Sequence, residues 1–364
     1  MLNATEDNTD KTVDVTTSGV ENDQTLTITL NSQTYTATVT NNAARVSIPA
    51  ADLQALSDGQ TYTLTADVSD ATGNAANTVT SSPFTVDTSS PSINAIGTSH
   101  FSWGAVLNSI EDNTVGTVDV TTLGVENGQT LTITLNSQTY TATVTNNAAR
   151  VSIPASDLQA LNNGQTYTLT ANVSDVAGNV ANTVTSASFT VDTISPTFGS
   201  IDVADDNSTV TITFSESVFN TNNGNGSLET SDFVLGITGG TATLTSTTPS
   251  SINITGNSYA LGLPLQGTPN GSEVLSVNPV SNSIFDSAGN AVDFDGIVMD
   301  SPAICADAAG ICVNSNGILF DFAGSAVDSD GIVMDSPAIC ADAARICVNS
   351  NAIVFDFGWK CCRF

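Results

Sequence analysis

Between residues 108 and 196 the chain alternates apolar and polar positions in short runs with a period of two. Leu, Ile, Val and Tyr hold one set of positions and Thr the other, which is typical of antiparallel strands with one buried face. Asn-Gly and Asn-Asn pairs between the runs predict tight turns. The predicted strands are Thr117–Thr122, Thr130–Leu135, Thr139–Thr145, Arg150–Ile153, Thr166–Ser174 and Ser188–Asp192.

Two more elements complete this pattern. A further strand is expected within Ser92–Trp103, and Ser156–Leu161 after Pro154 predicts one helical turn that crosses between two sheets. About seven strands in about 100 residues, without a cysteine pair, predict an immunoglobulin-like β-sandwich. Tyr167 follows a turn at the start of the penultimate strand, where such sandwiches have a tyrosine corner. We expect a buried ring whose hydroxyl bonds to the preceding turn; an ordinary core tyrosine would leave the fold unchanged.

The whole pattern occurs twice. Residues 3–91 return almost letter for letter as residues 108–196, at one constant offset. A unit of this length suits one folded domain rather than one turn of a solenoid. We therefore expect two tandem sandwiches, repeat 1 (residues 1–91) and repeat 2 (residues 92–196). Met1 aligns with Val106, so repeat 1 lacks the counterpart of Pro91–Ala105 and hence its first strand. The chain is interpreted as a piece of a longer protein; a start misplaced inside a repeat is the alternative.

The remaining sequence follows other patterns. Residues 197–292 predict a third sandwich with an Asn/Gly-rich insertion at Asn220–Gly226, and residues 293–364 form a tail in which Asp295–Phe322 returns as Asp330–Phe357. The tail is expected to be irregular and contains all six cysteines. The fold class is thus all-β, a linear array of immunoglobulin-like sandwiches followed by a cysteine-containing tail. Strands predicted in the third domain are Thr209–Val218, Asp232–Leu235, Thr241–Leu244 and Tyr259–Leu265.

Several motifs carry a family resemblance. The segments are Tyr62–Asn74, Tyr167–Asn179, Phe84–Pro91 and Phe189–Pro196. With these segments the chain resembles the bacterial immunoglobulin-like repeats of large secreted adhesins and biofilm proteins. The third domain is similar to the related domains of S-layer proteins. The resemblance implies an extracellular location and calcium ions at the junctions between domains.

Charge and composition narrow the function. Lys and Arg total 6 against 36 Asp and Glu, which gives a formal net charge of −30. Such a chain is not expected to bind nucleic acid or anionic lipid, because it cannot neutralise their phosphates. No apolar run reaches the roughly 18 residues that a membrane helix needs. No signal peptide is expected from the start of this sequence, because Met1-Leu2-Asn3 leads straight into polar residues. Catalysis is not expected: the single histidine, His100, lies at a domain boundary and is interpreted as structural.

Calcium is the sharper candidate. The motif Asp-x-x-Gly-Asn occurs at Asp70–Asn74, Asp175–Asn179 and Asp286–Asn290, each time before the last strand of its domain. Carboxylate, amide and carbonyl oxygens are the ligands that calcium prefers. The alternative is a hydrogen-bonded turn that needs no ion, because Asp opens Asx-turns and Gly-Asn closes hairpins.

Sandwich topology predicts which groups meet. The loop before the last strand lies at the end where a domain begins, and the last strand ends at the opposite end. We therefore expect Asp87 of repeat 1 to approach Asp175 and Asn179 of repeat 2, beside Glu126. Asp192 should likewise approach Asp286 and Asn290. Converging carboxylates repel one another unless a cation lies between them. The candidate metal ligands are Asp70, Asn74, Asp87, Glu126, Asp175, Asn179, Asp192, Asp286 and Asn290.

The tail offers weaker patterns. Asp293, Asp295 and Asp300, repeated as Asp328, Asp330 and Asp335, resemble the start of a calcium loop but lack its later ligands, so an acidic turn is preferred. The six-residue gap in Cys305–Cys312 and Cys340–Cys347 is too wide for most zinc sites, and disulfides there remain an open alternative.

The sequence thus predicts a non-catalytic spacer or adhesion region of an extracellular surface protein, with calcium-stiffened domain junctions. Its partners would be neighbouring domains of the same longer chain, and cell-surface glycans or proteins. Two alternatives stay open: a carbohydrate- or protein-binding module that uses Asn220–Gly226, and an accessory region of a larger secreted enzyme.

Overall fold

The computed structural model describes residues 1–270 and 273–292, together with the backbone of six short strands within 319–362. The chain divides into two compact units, Met1–Ile194 and Ser195–Phe364. The first unit contains both repeats. None of the helices in the described part of the chain is long and apolar enough to span a bilayer.

Repeat 1 is a sandwich of short antiparallel strands. One layer pairs β1 with β4, the other has the order β3-β2-β6-β7, and β5 pairs with β8 at one end. A short helix, α1 (Ala50–Gln54), links β4 to β5. The strands are β1 (Lys11–Thr16), β2 (Thr25–Leu30), β3 (Gln33–Thr38), β4 (Ala43–Ile48), β5 (Thr61–Tyr62), β6 (Thr65–Val68), β7 (Val79–Thr80) and β8 (Phe84–Thr85).

Repeat 2 has the same layers with one added strand, β9, and its strand β10 extends the parallel bridge that Leu2 makes to Val86 in repeat 1. The layers are β14-β11-β9 and β13-β12-β16-β17, and β10-β18-β15 lies at one end. The helix α2 (Ala155–Leu158) corresponds to α1, and residues 98–100 form a 3-10 turn. The strands are β9 (Ser92–Ile93), β10 (Val106–Leu107), β11 (Gly116–Leu123), β12 (Thr130–Leu135), β13 (Gln138–Thr143), β14 (Ala148–Ile153), β15 (Thr166–Tyr167), β16 (Thr170–Asn172), β17 (Val184–Thr185) and β18 (Phe189–Val191).

Strand pairing in the two repeats follows the same register. Lys11 faces Ile48 as Gly116 faces Ile153, and Thr25 faces Thr38 as Thr130 faces Thr143. Alternation along the strands explains the layers, because in β12 the apolar residues are buried while Thr residues are half-buried or exposed. The expected all-β sandwich is confirmed.

The tyrosine corner is present in both repeats. The Tyr62 hydroxyl accepts a hydrogen bond from Ser57 N, and the Tyr167 hydroxyl accepts one from Asn162 N, each over 2.9 Å. Both rings are half-buried rather than fully buried. The predicted strand Thr166–Ser174 is divided at this point into β15 and β16, which belong to different sheets.

The third domain encloses its own core. The main sheet has the order β19-β20-β24-β23, and β21 pairs with β26 and β22 with β25. Its core includes Val210, Ile212, Phe233, Leu261 and Leu275. The strands are β19 (Phe198–Val203), β20 (Thr209–Phe214), β21 (Phe233–Thr238), β22 (Thr243–Leu244), β23 (Ile252–Thr255), β24 (Ser258–Gly262), β25 (Leu265–Gln266) and β26 (Val274–Pro279), and residues 230–232 form a 3-10 turn.

The tail contains two three-stranded antiparallel sheets, β27-β28-β29 and β30-β31-β32. The cysteine pairs and aspartate clusters that the sequence singled out after residue 292 lie outside the residues whose side chains are described. The strands are β27 (Leu319–Asp321), β28 (Ser325–Val327), β29 (Val333–Asp335), β30 (Arg345–Asn349), β31 (Ala352–Asp356) and β32 (Cys361–Cys362).

Candidate metal centre at the junction of the two repeats

The three Asp-x-x-Gly-Asn loops share one geometry. In repeat 2, Asn179 N and Nδ2 each donate to one oxygen of Asp175 over 2.8 Å. The backbone closes the same turn, because Asp175 N donates to Asn179 O over 3.1 Å. Gly178, at φ 93°, takes the left-handed conformation that the turn requires. The loop is therefore a hydrogen-bonded Asx-turn. This is the alternative that the sequence offered to a loop built around an ion.

The loops of repeat 1 and the third domain repeat these contacts. Asn74 donates through N and Nδ2 to Asp70 over 2.8 Å in both cases, and Asn290 donates to Asp286 over 2.8 and 2.7 Å. Hydrogen bonds from Asn74 and Thr72 hold the pKa of Asp70 near 2. The loops of the two repeats differ in how far they are buried. Asn74 is exposed, whereas Asp175 and Asn179 are buried, with 4% and 3% of their surfaces accessible.

Asn179 is buried because repeat 1 docks on it. Its Nδ2 donates to the backbone oxygen of Asp87 over 2.8 Å, and its Oδ1 accepts from Ala4 N over 2.9 Å. Asn3 Nδ2 donates to Ala177 O over 2.8 Å. One amide side chain thus fixes its own loop and both ends of repeat 1, so Asp87, Asp175 and Asn179 come together as the topology predicted.

Glu126 joins the same loop from the adjacent turn. Its Oε2 accepts a hydrogen bond from Val176 N over 2.9 Å. Glu21 makes the equivalent bond to Ala71 N over 3.0 Å in repeat 1. The glutamate therefore has a local structural role in both repeats, in addition to placing a carboxylate near the junction.

Negative charge accumulates at this junction. Burial raises the pKa of Asp87, and the neighbouring charges of Asp175, Asp58 and Glu126 raise it further, against one backbone hydrogen bond from Ser89. Asp58 was not among the predicted ligands; it accepts hydrogen bonds from Thr88 N and Ser89 Oγ over 2.6 and 2.7 Å. Within residues 1–194, no three acidic side chains bring oxygens within 4.8 Å of one another.

The remaining candidates lie in separate places. Asp70 and Asn74 lie in the loop of repeat 1 and stay apart from this cluster. Asp192 N donates to Leu107 O over 2.9 Å, as Asp87 N does to Leu2 O. Asp286 and Asn290 belong to the second compact unit, where both are fully buried. Whether Asp192 meets these two residues stays a prediction.

Sequence reasoning missed Asn3. Asn3 opens a turn in which its Oδ1 accepts from Thr5 N and Glu6 N, while its own N donates to Glu6 Oε2. The same turn recurs at Asn108, whose Oδ1 accepts from Glu111 N over 3.0 Å. The recurring Asn-x-x-Glu at the start of each repeat was the available signal, since such pairs cap one another's backbone groups.

Two other predicted features have local roles. His100 Nδ1 lies 3.1 Å from Gly97 N, so the ring closes its own 3-10 turn. In the Asn220–Gly226 insertion, Thr221 Oγ1 donates to Asn223 Oδ1 over 2.7 Å and Asn225 Nδ2 to Asn223 O over 3.1 Å. These polar groups are used within the loop itself.

No protein-family model and no curated protein matches the chain. Among solved structures, it is similar to a Ca²⁺-stabilized adhesin with which an Antarctic bacterium binds ice, at 24% identity over 80% of this chain and 71% of that one, with a TM-score of 0.41. A 1.5-MDa bacterial ice-binding adhesin involved in host cell surface retention matches at 22% identity over 81% of this chain and 94% of that one, with a TM-score of 0.36.

The third match is to a single domain. A bacterial immunoglobulin-like domain from the M. primoryensis ice-binding adhesin is 31% identical over 28% of this chain and 95% of that one, with a TM-score of 0.21. The TM-scores of all three matches are below 0.5. The third match covers nearly the whole of that domain. The chain is thus a tandem of immunoglobulin-like sandwiches, and it is similar to bacterial immunoglobulin-like domains of large adhesins.

Proposed function

We propose that this chain is a non-catalytic spacer in the adhesion region of an extracellular surface protein, and that calcium stiffens the junction between its repeats. One observation carries the proposal: Asn179 joins repeat 1 to repeat 2 at a point where carboxylates crowd around Asp87. A spacer needs length and a fixed angle between its domains; the Asn179 side chain, bonded to both domains, brings them together, and calcium would complete the restraint on that angle.

The role of a spacer in a surface protein implies the partners and the location of this chain. Neighbouring domains of the same longer chain are the primary partners, and the cell surface is the location. The matched adhesins support this assignment, one being described as Ca²⁺-stabilized. A formal charge of −30 keeps such repeats dispersed despite their near-identity.

Calcium fits the donor set at this junction. The possible metal ligands that converge there are all oxygens, from the carboxylates of Asp87, Asp175 and Glu126 and from the backbone carbonyl of Asp87, and oxygen ligands suit a hard cation. Burial and neighbouring charge raise the pKa of Asp87, so a cation beside it would relieve an unfavourable interaction. Because the acidic side chains do not already meet within 4.8 Å, binding requires side-chain rotation and is expected to be weak. Extracellular modules bind calcium with dissociation constants of about 10⁻⁴–10⁻³ M.

We expect the Asp87→Asn variant to differ from the wild type in melting temperature in opposite directions with and without calcium. In EDTA at pH 7 the variant is expected to melt higher than the wild type, because it removes a charge whose ionisation burial and neighbours disfavour. The backbone bond from Asn179 to residue 87 remains. At about 5 mM calcium, in the range in which such modules bind, the wild type should gain melting temperature and the variant should gain little.

Calorimetric unfolding of the full chain measures both effects, and calcium titration by isothermal calorimetry measures binding directly. Asp205→Asn, an exposed acid of the third domain, is the control and should behave as the wild type. Equal calcium-induced shifts in wild type and Asp87→Asn would remove calcium from this junction. The docking of the two repeats through Asn179 would still stand.

A further inference from the structure

The outer face of the four-stranded sheet in repeat 2 holds an open pocket. Its volume is about 350 Å³, within the range of about 300–1,000 Å³ that is typical of small-molecule sites. Thr130 and Thr132 of β12 lie beside Asn172 of β16, because Thr132 and Asn172 are paired across the two strands. Ser174 and Val180 line the pocket from the segments that follow β16.

The pocket is uncharged, which is unusual for a chain with 36 acidic residues. None of the residues that line it is ionisable. The nearly identical repeat 1 has Asp67 where repeat 2 has Asn172, and it has Asp23 where repeat 2 has Gly128. Both aspartates are exposed. The same surface therefore carries two negative charges in repeat 1 and none in repeat 2.

The polar side chains of the pocket are free to bind a ligand. Asn172 Oδ1 accepts a hydrogen bond from Thr183 Oγ1, which leaves the Asn172 amide nitrogen as a donor. Hydroxyl and amide side chains each offer donors and acceptors. Four further side chains of the pocket have no hydrogen-bond partner among the described residues: Gln129, Thr130, Thr132 and Ser174.

Val180 adds apolar surface to this polar lining. A β-bridge to Ser174 holds Val180 in place, and 61% of its surface is exposed. Repeat 1 has the smaller Ala75 at this position. Small-molecule sites combine apolar surface with a few placed polar groups in this way. A sugar ring matches the combination, because its hydroxyls lie around the rim and its C–H groups form an apolar face.

We propose that this pocket binds one unit of an uncharged carbohydrate, whose hydroxyls bond to the amide and hydroxyl side chains and whose C–H face packs on Val180. A calcium ion would need carboxylate ligands, which the pocket does not have. An anion is disfavoured, because no basic residue lines the pocket and the formal net charge of the chain is −30.

The sheet continues this chemistry beyond the pocket. Thr141 of β13 is paired with Thr132, and Thr132 is paired with Asn172, so the three polar side chains form a row across three strands. Neighbouring strands lie about 4.8 Å apart, so the row extends over roughly 10 Å. An oligosaccharide therefore fits this face better than a single sugar.

The test uses the full chain in EDTA, so that its outcome does not depend on whether calcium binds at the junction of the repeats. Protein labelled at threonine methyl groups is titrated with cellopentaose, maltopentaose and mannopentaose as neutral probes, and with oligogalacturonate as an anionic probe. At least one neutral probe should give saturable NMR shifts at Thr130 and Thr132, with none at the equivalents Thr25 and Thr27. The anionic probe should give no shifts.

Residue exchange between the repeats supplies a matched pair of variants. Asn172→Asp introduces the residue of repeat 1, where Asp67 accepts the equivalent hydrogen bond from Thr78, so the fold should be kept. The variant should bind the neutral probe at least 10-fold more weakly. Asn163→Asp is the control, because it introduces the same charge outside the pocket and again restores the residue of repeat 1, Asp58. It should bind as the wild type does.

The reverse exchange should create a second site. Asp23→Gly, Asp67→Asn and Ala75→Val together give repeat 1 the pocket residues of repeat 2. In this triple variant Thr25 and Thr27 should also shift when the neutral probe is added.

Four results would each overturn the proposal. These are the absence of shifts with every neutral probe at millimolar concentration, equal shifts in both repeats of the wild type, full affinity of Asn172→Asp, and a triple variant that gains no site. Shifts at Thr130 and Thr132 that grow with protein concentration in the absence of sugar would instead assign the pocket to a second copy of the chain.

Discussion

At the scale of single residues, Asn179 and its equivalent Asn74 make different hydrogen bonds although the sequences around them are nearly the same. Both fasten their own loop to the preceding aspartate, but only Asn179 also bonds Asp87 O and Ala4 N. The sequence predicted which loop would face Asp87. It did not predict that an amide rather than a carboxylate would make the direct contacts, since loop pattern alone does not show how hydrogen-bond donors are distributed.

Asn179→Ala should therefore cost more than Asn74→Ala. The variant keeps the backbone bond from residue 179 to Asp175, but Asp175 Oδ2, Asp87 O and Ala4 N lose the bonds that the Asn179 side chain makes at this junction, which costs about 1–3 kcal/mol. Asn74 is exposed, so water replaces its bonds and the cost should stay below about 1 kcal/mol. Urea unfolding of the full chain, followed by tyrosine and tryptophan fluorescence, compares the two. Equal destabilisation would mean that the inter-repeat bonds contribute nothing.

Glu273 is a buried acid in the third domain that the sequence analysis passed over. Burial alone raises its pKa, but N–H donors of Ala242, Asn270 and Thr241 outweigh burial and lower the pKa to about 2. The sequence carried no signal for this residue, because two of its three donors, Thr241 N and Ala242 N, lie 32 and 31 residues away along the chain.

The lowered pKa makes the third domain sensitive to acid. A folded pKa of about 2 against a usual 4.5 stabilises the domain above pH 4.5, and this contribution disappears as the pH falls from 4.5 toward 2. Its size is on the order of 3 kcal/mol at most. Glu273→Gln should lose it at all pH values, so wild type and variant should converge in stability near pH 2. A difference that stays constant between pH 7 and pH 2 would contradict this account.

At the scale of elements, the period-two pattern identified most strands where one face is clearly buried. β12 lies at the predicted residues, and β11 and β13 differ at their ends only. Three strands of the third domain were missed. In β19, Gly199 interrupts the pattern and the pairing shifts by a residue between Phe198 and Ser200. β23 is mostly exposed and so lacked the usual contrast between faces. In β26, by contrast, buried positions alternate with exposed or half-buried ones, so its pattern could have been recognised.

The start of β11 supplies an element-scale prediction. Gly116→Ala places a methyl group 2.6 Å from Trp103 and 2.9 Å from Leu158, both buried, so the strand or the ring must shift. Overpacking of this kind costs about 1–3 kcal/mol. Lys11→Ala at the equivalent position of repeat 1 should be nearly neutral. Thermal unfolding of both variants decides the point, and equal melting temperatures would show that Trp103 does not constrain the strand.

At the scale of the whole molecule, the sequence predicted an all-β array and the meeting of Asp87 with Asp175 and Asn179. These followed because the topology of a sandwich fixes which loops lie at each end. The sequence did not predict that the N-terminal turn at Asn3 and the charge of Asp58 also belong to this junction, and only the structure shows that they do. We propose that calcium fixes repeat 1 against repeat 2.

Residual dipolar couplings of the full chain test that claim most directly, because they report the orientation of each repeat separately. With about 5 mM calcium, which covers the range for extracellular modules, one alignment tensor should fit residues 1–91 and 92–194 together. In EDTA, or in Asp87→Asn with calcium, the two repeats should need tensors of different magnitude. A single common tensor in EDTA that calcium leaves unchanged would contradict the account.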